Sequence, residues 1–190
     1  MELSRRAVLR IGGGALASAA TMSLAGRALA APAVIGVKEL NARTLSLDGY
    51  NTGEKLARVT YWADGKYIPD AMAAINKAMR DWRTGEIHPI EPKLIDLIYQ
   101  LGRQLDTVCN FELISGYRSQ KTNTLLRSFD PEVAVHSLHL DGQAADISLP
   151  GRPLKQLHEA ALGMKAGGVG YYEKSNFIHV DVGRVRSWVG

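Results

Sequence analysis

The chain has 190 residues, of which 46% are hydrophobic and 22% charged, and its formal net charge is +4. This length suits one compact domain, and the composition is too apolar for a disordered chain. The single cysteine, Cys109, excludes an intramolecular disulfide and any metal site that needs two thiolates. A metal site in this chain would therefore depend mainly on histidines and carboxylates.

The N-terminus has the features of an export signal. Basic residues including Arg5 and Arg6 precede an uncharged stretch at residues 11–26, and residues 28–30 are the Ala-Leu-Ala that a signal peptidase could cleave. The segment SRRAVLR resembles the twin-arginine export signal. We therefore expect residues 1–30 to be a signal peptide read by the twin-arginine export machinery. An N-terminal membrane anchor and a mitochondrial-type presequence are the alternatives.

Cleavage after residue 30 changes the charge and location expected of the protein. It removes four arginines and one glutamate, which leaves 19 basic and 18 acidic residues in residues 31–190. A formal charge of +1 no longer suggests a nucleic-acid partner. The uncharged leader stretch is also shorter than the roughly 20 residues that span a bilayer. We expect a periplasmic mature domain without stable membrane insertion.

The first half of the mature chain predicts a hairpin followed by two helices. Residues 42–47 and 55–62 alternate in polarity, and the turn-forming sequence DGYNTG lies between them. Apolar residues then recur at helical spacing from Pro69 to Arg83. A second helix begins at Pro92, and its apolar stripe extends to Leu105.

The second half predicts strands interrupted by helices. The predicted elements are a strand from Val108 to Ile114, a short helix from Lys121 to Arg127, a strand from Gln143 to Leu149, a helix from Pro153 to Lys165, and strands Val169–Tyr172 and Asn176–Val182. Strands and helices do not alternate regularly along the chain. This order favours a single α+β domain over a doubly wound parallel sheet.

Two histidines and two aspartates stand out by their spacing. His139 precedes Asp146 by seven residues, and a glycine between them can turn the chain back on itself. His179 and Asp181 would share the polar face of the last predicted strand because strand side chains alternate. Two histidines and one carboxylate with an open position are typical of a catalytic zinc site. Judged by spacing alone, a histidine in a strand is more often an ordinary core or surface residue.

Four motifs follow one another in the second half of the chain: SGYRS at 115–119, S-x-H-x-x-G-x-A-x-D at 137–146, GGVGYY at 167–172 and NFIHVD at 176–181. In this order they resemble the zinc D,D-peptidase superfamily, which includes VanX-type dipeptidases, D-alanyl-D-alanine carboxypeptidases and the Hedgehog-like fold. With the leader and the segment at 45–54, they more closely resemble the exported murein endopeptidase K family of Gram-negative bacteria. The resemblance implies a central antiparallel sheet with helices packed on it.

The resemblance also implies a function and a set of site residues. It places Zn²⁺ on His139, Asp146 and His179, with the attacking water in the fourth position. Arg118 matches the arginine that binds a substrate carboxylate or the developing oxyanion, and its planar guanidinium suits either. The implied activity is hydrolysis of amide bonds in the peptide stems or cross-links of peptidoglycan. The resemblance does not decide between D,D and L,D bonds.

The general base is where the sequence departs from the VanX-type enzymes. Those enzymes have a glutamate three residues before the last zinc histidine, and here that position is Asn176. Asp181 is our candidate base because it shares a strand face with His179. Alternatively, Asp181 holds a ligand histidine by a hydrogen bond. Glu173 and Asp141 are weaker candidates for the base.

Two other functions remain compatible with the sequence. The absence of the glutamate could indicate a catalytically silent, zinc-containing module that binds peptidoglycan. An enzyme of the same fold that acts on a non-wall peptide is the third possibility. We expect no role in catalysis for His88, His136 or His158.

Overall fold

One sheet of eight strands organises the residues that the computed structural model describes, which are 41–105, 110–131 and 133–190. The strands lie in the order β3-β2-β1-β4-β5-β7-β6-β8. Their bounds are β1 Ala42–Gly49, β2 Lys55–Ala63, β3 Lys66–Tyr67, β4 Asn110–Ser115, β5 Ala144–Ser148, β6 Gly168–Tyr172, β7 Phe177–Asp181 and β8 Arg186–Val189. Strands β1 and β4 pair in parallel, as do β6 and β8, and the other neighbours are antiparallel.

Four α-helices and one short 3-10 helix accompany the sheet in the described residues. Their bounds are α1 Pro69–Ala78, α2 Pro92–Gln104, α3 Gln120–Phe129 and α4 Leu154–Met164, with the 3-10 helix at Leu138–Asp141. Proline is the first residue of both α1 and α2, where its missing N–H costs nothing. Ser119 caps α3 by accepting a hydrogen bond from the Thr122 backbone N–H.

Helix α1 ends five residues before the predicted end at Arg83, and Asp81 explains why. The Asp81 side chain accepts hydrogen bonds from the backbone N–H groups of Arg83 and Thr84. Its own backbone N–H donates to the Glu86 carbonyl, which closes a turn that contains Gly85 at a φ of 76°. Local side-chain hydrogen bonds of this kind compete with the helical ladder. The segment after α1 is therefore a turn that lies against residues 116–119.

The hydrophobic core and the candidate site occupy opposite faces of β5 and β7. Ala145 and Ile147 of β5, with Ile178 and Val180 of β7, belong to the core cluster. Helix α4 packs on β6 and β7, and α2 packs on β1 and α4. Because side chains alternate along a strand, Asp146 and His179 point to the other face. Burial of the apolar residues thus fixes the orientation of the polar ones.

The predicted α+β fold class is confirmed, and the two parallel pairs make the sheet mixed. The sequence did not predict β3, the 3-10 helix or β8. The predicted leader at residues 1–30 lies outside the described residues, as do Val108 and Cys109. Across the described ranges, we found no helix with the length and apolar character needed to cross a membrane.

Candidate metal centre

Three side chains bring their ligand atoms together at one buried point. The Nε2 atom of His139 lies 3.1 Å from Nδ1 of His179 and 3.2 Å from Oδ1 of Asp146. The His179 and Asp146 atoms lie 3.0 Å apart. At most 8% of any of the three residues is exposed. The structure therefore brings together the histidines and the aspartate that the sequence singled out.

Strand pairing and a tight turn position the three residues. Asp146 of β5 and His179 of β7 are directly paired in the antiparallel ladder. His139 lies in the 3-10 helix just before β5, and Gly142 ends that helix at a φ of 65°. Glycine adopts this left-handed conformation without steric cost, and a Cβ at this position would collide with the backbone carbonyl oxygen of Pro89. The turn returns the chain so that His139 faces Asp146.

The other ring nitrogen of His139 is held by the backbone. Its Nδ1–H donates to the Gly116 carbonyl oxygen at 2.6 Å, which leaves the Nε2 lone pair directed at the other two ligand atoms. Burial, followed by the charge of Arg118, lowers the pKa of His139 to about 4. The imidazole is therefore neutral at neutral pH, which is the form that binds a metal ion.

Asp181 holds the far nitrogen of His179. Nε2–H of His179 donates to Oδ2 of Asp181 at 3.1 Å, so Nδ1 faces the other ligand atoms. Burial alone would lower the pKa of His179, but its hydrogen bonds with Asp146 and Asp181 raise it. The negative charge of both carboxylates would also attract a metal cation bound at Nδ1.

Arg118 binds the oxygen of Asp146 that faces away from the histidines. Its Nη2 donates to Oδ2 of Asp146 at 2.7 Å, and its Nε donates to the Ser115 hydroxyl. Burial would raise the pKa of Asp146, but its interactions with His139 and His179 and the charge of Arg118 hold it well below its usual range. Asp146 is thus an ionised carboxylate with one oxygen directed at the centre.

The chemistry and spacing of these donors fit a divalent metal ion, and they suit zinc. A tetrahedral zinc ion with bonds of about 2.0–2.1 Å separates its ligand atoms by roughly 3.3 Å, close to the observed spacing. These three side chains form a group that could hold a metal ion. Each is also fixed by a hydrogen bond on its far side, as metal ligands in proteins usually are.

Comparison with known proteins identifies the family. The family described as peptidoglycan L,D-endopeptidase MepK matches residues 37–188. The chain belongs to the MepK family. The peptidoglycan L,D-endopeptidase MepK of Escherichia coli K12 is 40% identical over 188 residues, which cover 98% of each chain. The probable MepK of Haemophilus influenzae Rd is 39% identical over 149 residues, which cover 78% of this chain and 80% of the relative.

The position of Asp181 bears on its role in this MepK family member, because the sequence suggested Asp181 as the general base. Asp181 contacts the nitrogen of His179 that faces away from the other ligand atoms, and it is fully buried. Its oxygens also accept hydrogen bonds from the backbone of Gly168 and Gly183 and from Arg186. The geometry favours the alternative role, in which Asp181 orients a ligand histidine.

The other candidates for the base lie at the surface. Glu173 and Asp141 are exposed, and so is Asn176. Asn176 occupies the turn before β7 with a φ of 53°, and asparagine tolerates this left-handed conformation better than glutamate does. The backbone conformation of this turn therefore suits asparagine at position 176.

The remaining histidines are separate from His139, Asp146 and His179. His136 is exposed, and His158 of α4 packs against the ring of Tyr171. His88 stacks on Tyr117 with ring centroids 4.6 Å apart.

Sequence reasoning missed three residues that support the MepK family site in this chain. Asp81 accepts hydrogen bonds from the backbone N–H and hydroxyl of Ser119, next to Arg118. Arg186 binds Asp181, and the ring of Trp188 lies 5.2 Å from that of His179. The alternation of Arg186 and Trp188 in the C-terminal segment was the available signal for the last two.

Proposed function

We propose that this protein is a zinc peptidase of the cell envelope that hydrolyses L,D-peptide bonds in peptidoglycan. The observation that carries the proposal is the convergence of His139 Nε2, Asp146 Oδ1 and His179 Nδ1 within 3.2 Å of one another. Membership in the MepK family supports peptidoglycan as the substrate. The bond specificity rests on the names of the relatives, which are L,D-endopeptidases.

In this proposal, His139, Asp146 and His179 hold the zinc ion. Zinc in a three-ligand protein site supplies an activated water near neutral pH and polarises a carbonyl oxygen. The protein keeps the three ligand atoms in place before substrate arrives. Gly116 orients His139, Asp181 orients His179, and Arg118 orients Asp146.

Arg118 has a second role in the proposal, which is to bind the substrate. Two of its three nitrogens donate to Ser115 and Asp146, and within the described part of the chain Nη1 makes no hydrogen bond. Nη1 would donate to the oxygen of the scissile carbonyl or to a nearby substrate carboxylate. A donor fixed in this way stabilises the charge that develops on the oxygen during the reaction.

We assign to Asp181 the positioning of His179 and not the transfer of a proton. Hydrogen bonds from His179, Arg186 and two backbone N–H groups hold the pKa of Asp181 well below its usual range, although burial alone would raise it. So weak a base, with both oxygens already engaged, is poorly suited to take a proton from water.

The test of the proposed activity is digestion of purified sacculi and of defined muropeptides. The parent protein should release new products, whereas His139→Ala and His179→Ala should release none while keeping a folded circular dichroism spectrum. His136→Ala is the matched control because His136 is exposed, and it should retain full activity. Sacculus cleavage by either ligand variant would overturn the assignment of the site. Zinc binding without turnover in the parent would support the silent binding module.

The proposed site of action is the periplasm, reached through the twin-arginine machinery. This part of the proposal rests on the arginine pair at residues 5 and 6 and on the small residues Ala28 and Ala30. Replacing both arginines with lysine should leave the uncleaved protein in the cytoplasm. Arg27→Lys, outside the motif, should be exported and cleaved normally. Normal export of the double variant would contradict the twin-arginine route.

A further inference from the structure

Two glycines of β6 lie beside the candidate metal centre. Gly170 is paired with His179 on one side and with Trp188 on the other. Two residues earlier, Gly168 is paired with Arg186, and its backbone N–H donates to Oδ1 of Asp181 at 2.9 Å. His179 and Asp181 are also two residues apart, so these positions form two adjacent rows on one face of the sheet.

The space above these glycines is filled from the neighbouring strands. A Cβ added to Gly170 would lie 2.7 Å from the indole ring of Trp188. A Cβ added to Gly168 would collide with the guanidinium of Arg186 and the carboxylate of Asp181. Side chains of β7 and β8 therefore meet directly over β6, although the two strands are not neighbours in the sheet.

In the row formed by Gly168, Asp181 and Arg186, two guanidinium nitrogens of Arg186 donate hydrogen bonds to the Asp181 carboxylate. Nη2 lies 2.7 Å from Oδ2 and Nη1 lies 3.2 Å from Oδ1. The Asp181 side chain is fully buried, whereas 34% of the Arg186 side chain is exposed. Oδ2 is also the atom that accepts the hydrogen bond from His179. Arg186 thus fixes the carboxylate that fixes the histidine.

In the second row, Trp188 packs directly on His179. Their ring centroids lie 5.2 Å apart at an interplanar angle of 50°. The indole N–H donates to the Tyr172 hydroxyl at 3.0 Å, and the Arg186 guanidinium lies over the indole ring. The indole is therefore held from two sides, and it limits the rotation of the His179 ring.

We propose that strand β8 completes the metal centre, with Arg186 and Trp188 as positioning residues for His179. Arg186 acts through Asp181, and Trp188 acts by packing on the imidazole. Together they keep His179 turned so that Nδ1 faces His139 and Asp146. This inference rests on the proposed metal site, and it assigns a function to the last strand of the chain.

The test compares zinc affinity in full-length variants by competition with a chromophoric chelator. Replacement of a residue that orients a metal ligand typically weakens metal binding 10- to 100-fold, so R186Q should lose about 10-fold or more. Arg184 is exposed and contacts Arg186 through its backbone carbonyl, which makes R184Q the matched control. R184Q should bind zinc as the parent does. The visible spectrum of the cobalt-substituted protein should also change in R186Q and stay unchanged in R184Q.

Parent-like zinc affinity in R186Q would overturn this inference and leave the proposed function intact. Absence of zinc binding in the parent would overturn both. If R186Q does not fold, the zinc affinity of R186K tests the inference instead. Lysine keeps the charge but cannot donate to both oxygens of Asp181 in the same geometry. A measurable loss of zinc affinity in R186K would support the role of Arg186, and parent-like affinity would contradict it.

Discussion

Arg118 and Asp146 are joined by a hydrogen bond of 2.7 Å on the side of the carboxylate that faces away from the histidines. One carboxylate thus serves two partners: Oδ1 faces His139 and His179, and Oδ2 faces the guanidinium. This arrangement links the group that would bind substrate to a group that would bind the metal.

Replacing Arg118 with lysine should therefore reduce kcat more than it reduces zinc affinity. Lysine cannot contact Asp146, Ser115 and the substrate in the planar geometry of arginine, and loss of a preorganised donor typically costs 100- to 1,000-fold in kcat. The measurements are kcat and KM on a defined muropeptide, together with zinc content. Arg127→Lys, at an exposed position of α3, is the control and should behave as the parent does. Unchanged kcat in R118K would rule out the proposed role.

Zinc should raise the thermal midpoint of unfolding. An ion that binds only the folded state adds about 4 kcal/mol of stability when its concentration is 1,000 times Kd. Calorimetry with and without a chelator should show this shift in the parent and in H136A. The shift should be absent or much smaller in H179A, which lacks a ligand. An equal zinc-dependent shift in H179A would show that zinc binds elsewhere.

A side chain at position 116 should destabilise the protein and weaken the metal site. A Cβ on Gly116 would lie 2.5 Å from the Met79 carbonyl oxygen, so the segment that orients His139 would have to move. Overpacking of this kind typically costs about 1–3 kcal/mol of unfolding free energy. Urea unfolding and zinc affinity of Gly116→Ala measure both effects.

Gly163→Ala is the matched control for that substitution. The nearest atom to a Cβ on Gly163 is 3.7 Å away, which is an ordinary contact, and the position is within helix α4. Alanine there should leave zinc affinity unchanged and should not lower stability. Equal stability losses in G116A and G163A would show that the close approach at Gly116 is unimportant.

Asp81 should stabilise the fold in a pH-dependent way. Burial would raise its pKa, but the neighbouring Thr122 side chain and hydrogen bonds from Ser119 and Arg83 lower it to about 2. Because the folded-state pKa lies below the unfolded value of about 3.9, the contribution of about 2 kcal/mol is complete above that value and is lost as pH falls toward 2.

The measurement is the free energy of unfolding of the parent and of Asp81→Asn across this range. The difference between them should be largest near pH 7 and should shrink as the pH falls toward 2. Asp64→Asn, at an exposed turn, should show no such trend. A difference that does not change with pH would indicate that the ionised form of Asp81 is not what stabilises the turn.

The sequence predicted His139, Asp146 and His179 because local rules place them. Alternation along β5 and β7 puts Asp146 and His179 on the face opposite the core, and Gly142 turns the chain between His139 and β5. Local patterns could not predict that the three residues lie together, because the pairing of β5 with β7 joins residues about 33 positions apart. That prediction came from the motif resemblance.

The roles of Asp181, Arg186 and Asp81 depend on contacts that local patterns do not reveal. The alternation of side chains along a strand predicted that Asp181 lies near His179, but only the structure shows which ring nitrogen Asp181 contacts. Strand β8 has only four residues and pairs in parallel with β6. The sequence therefore offered neither a long alternating run nor a hairpin turn from which this strand could be predicted. The apolar spacing up to Trp82 predicted a longer α1, and the side chain of Asp81 ended the helix earlier.

The most direct measurement is the mass of the products that the zinc-loaded protein releases from cross-linked muropeptides containing either an L,D or a D,D peptide bond. We predict cleavage at the L,D bond by the parent, no cleavage after zinc is removed with a chelator, and recovery when zinc is restored. H139A should be inactive under all three conditions. Cleavage that persists without metal, or that persists in H139A, would contradict the proposed metal centre.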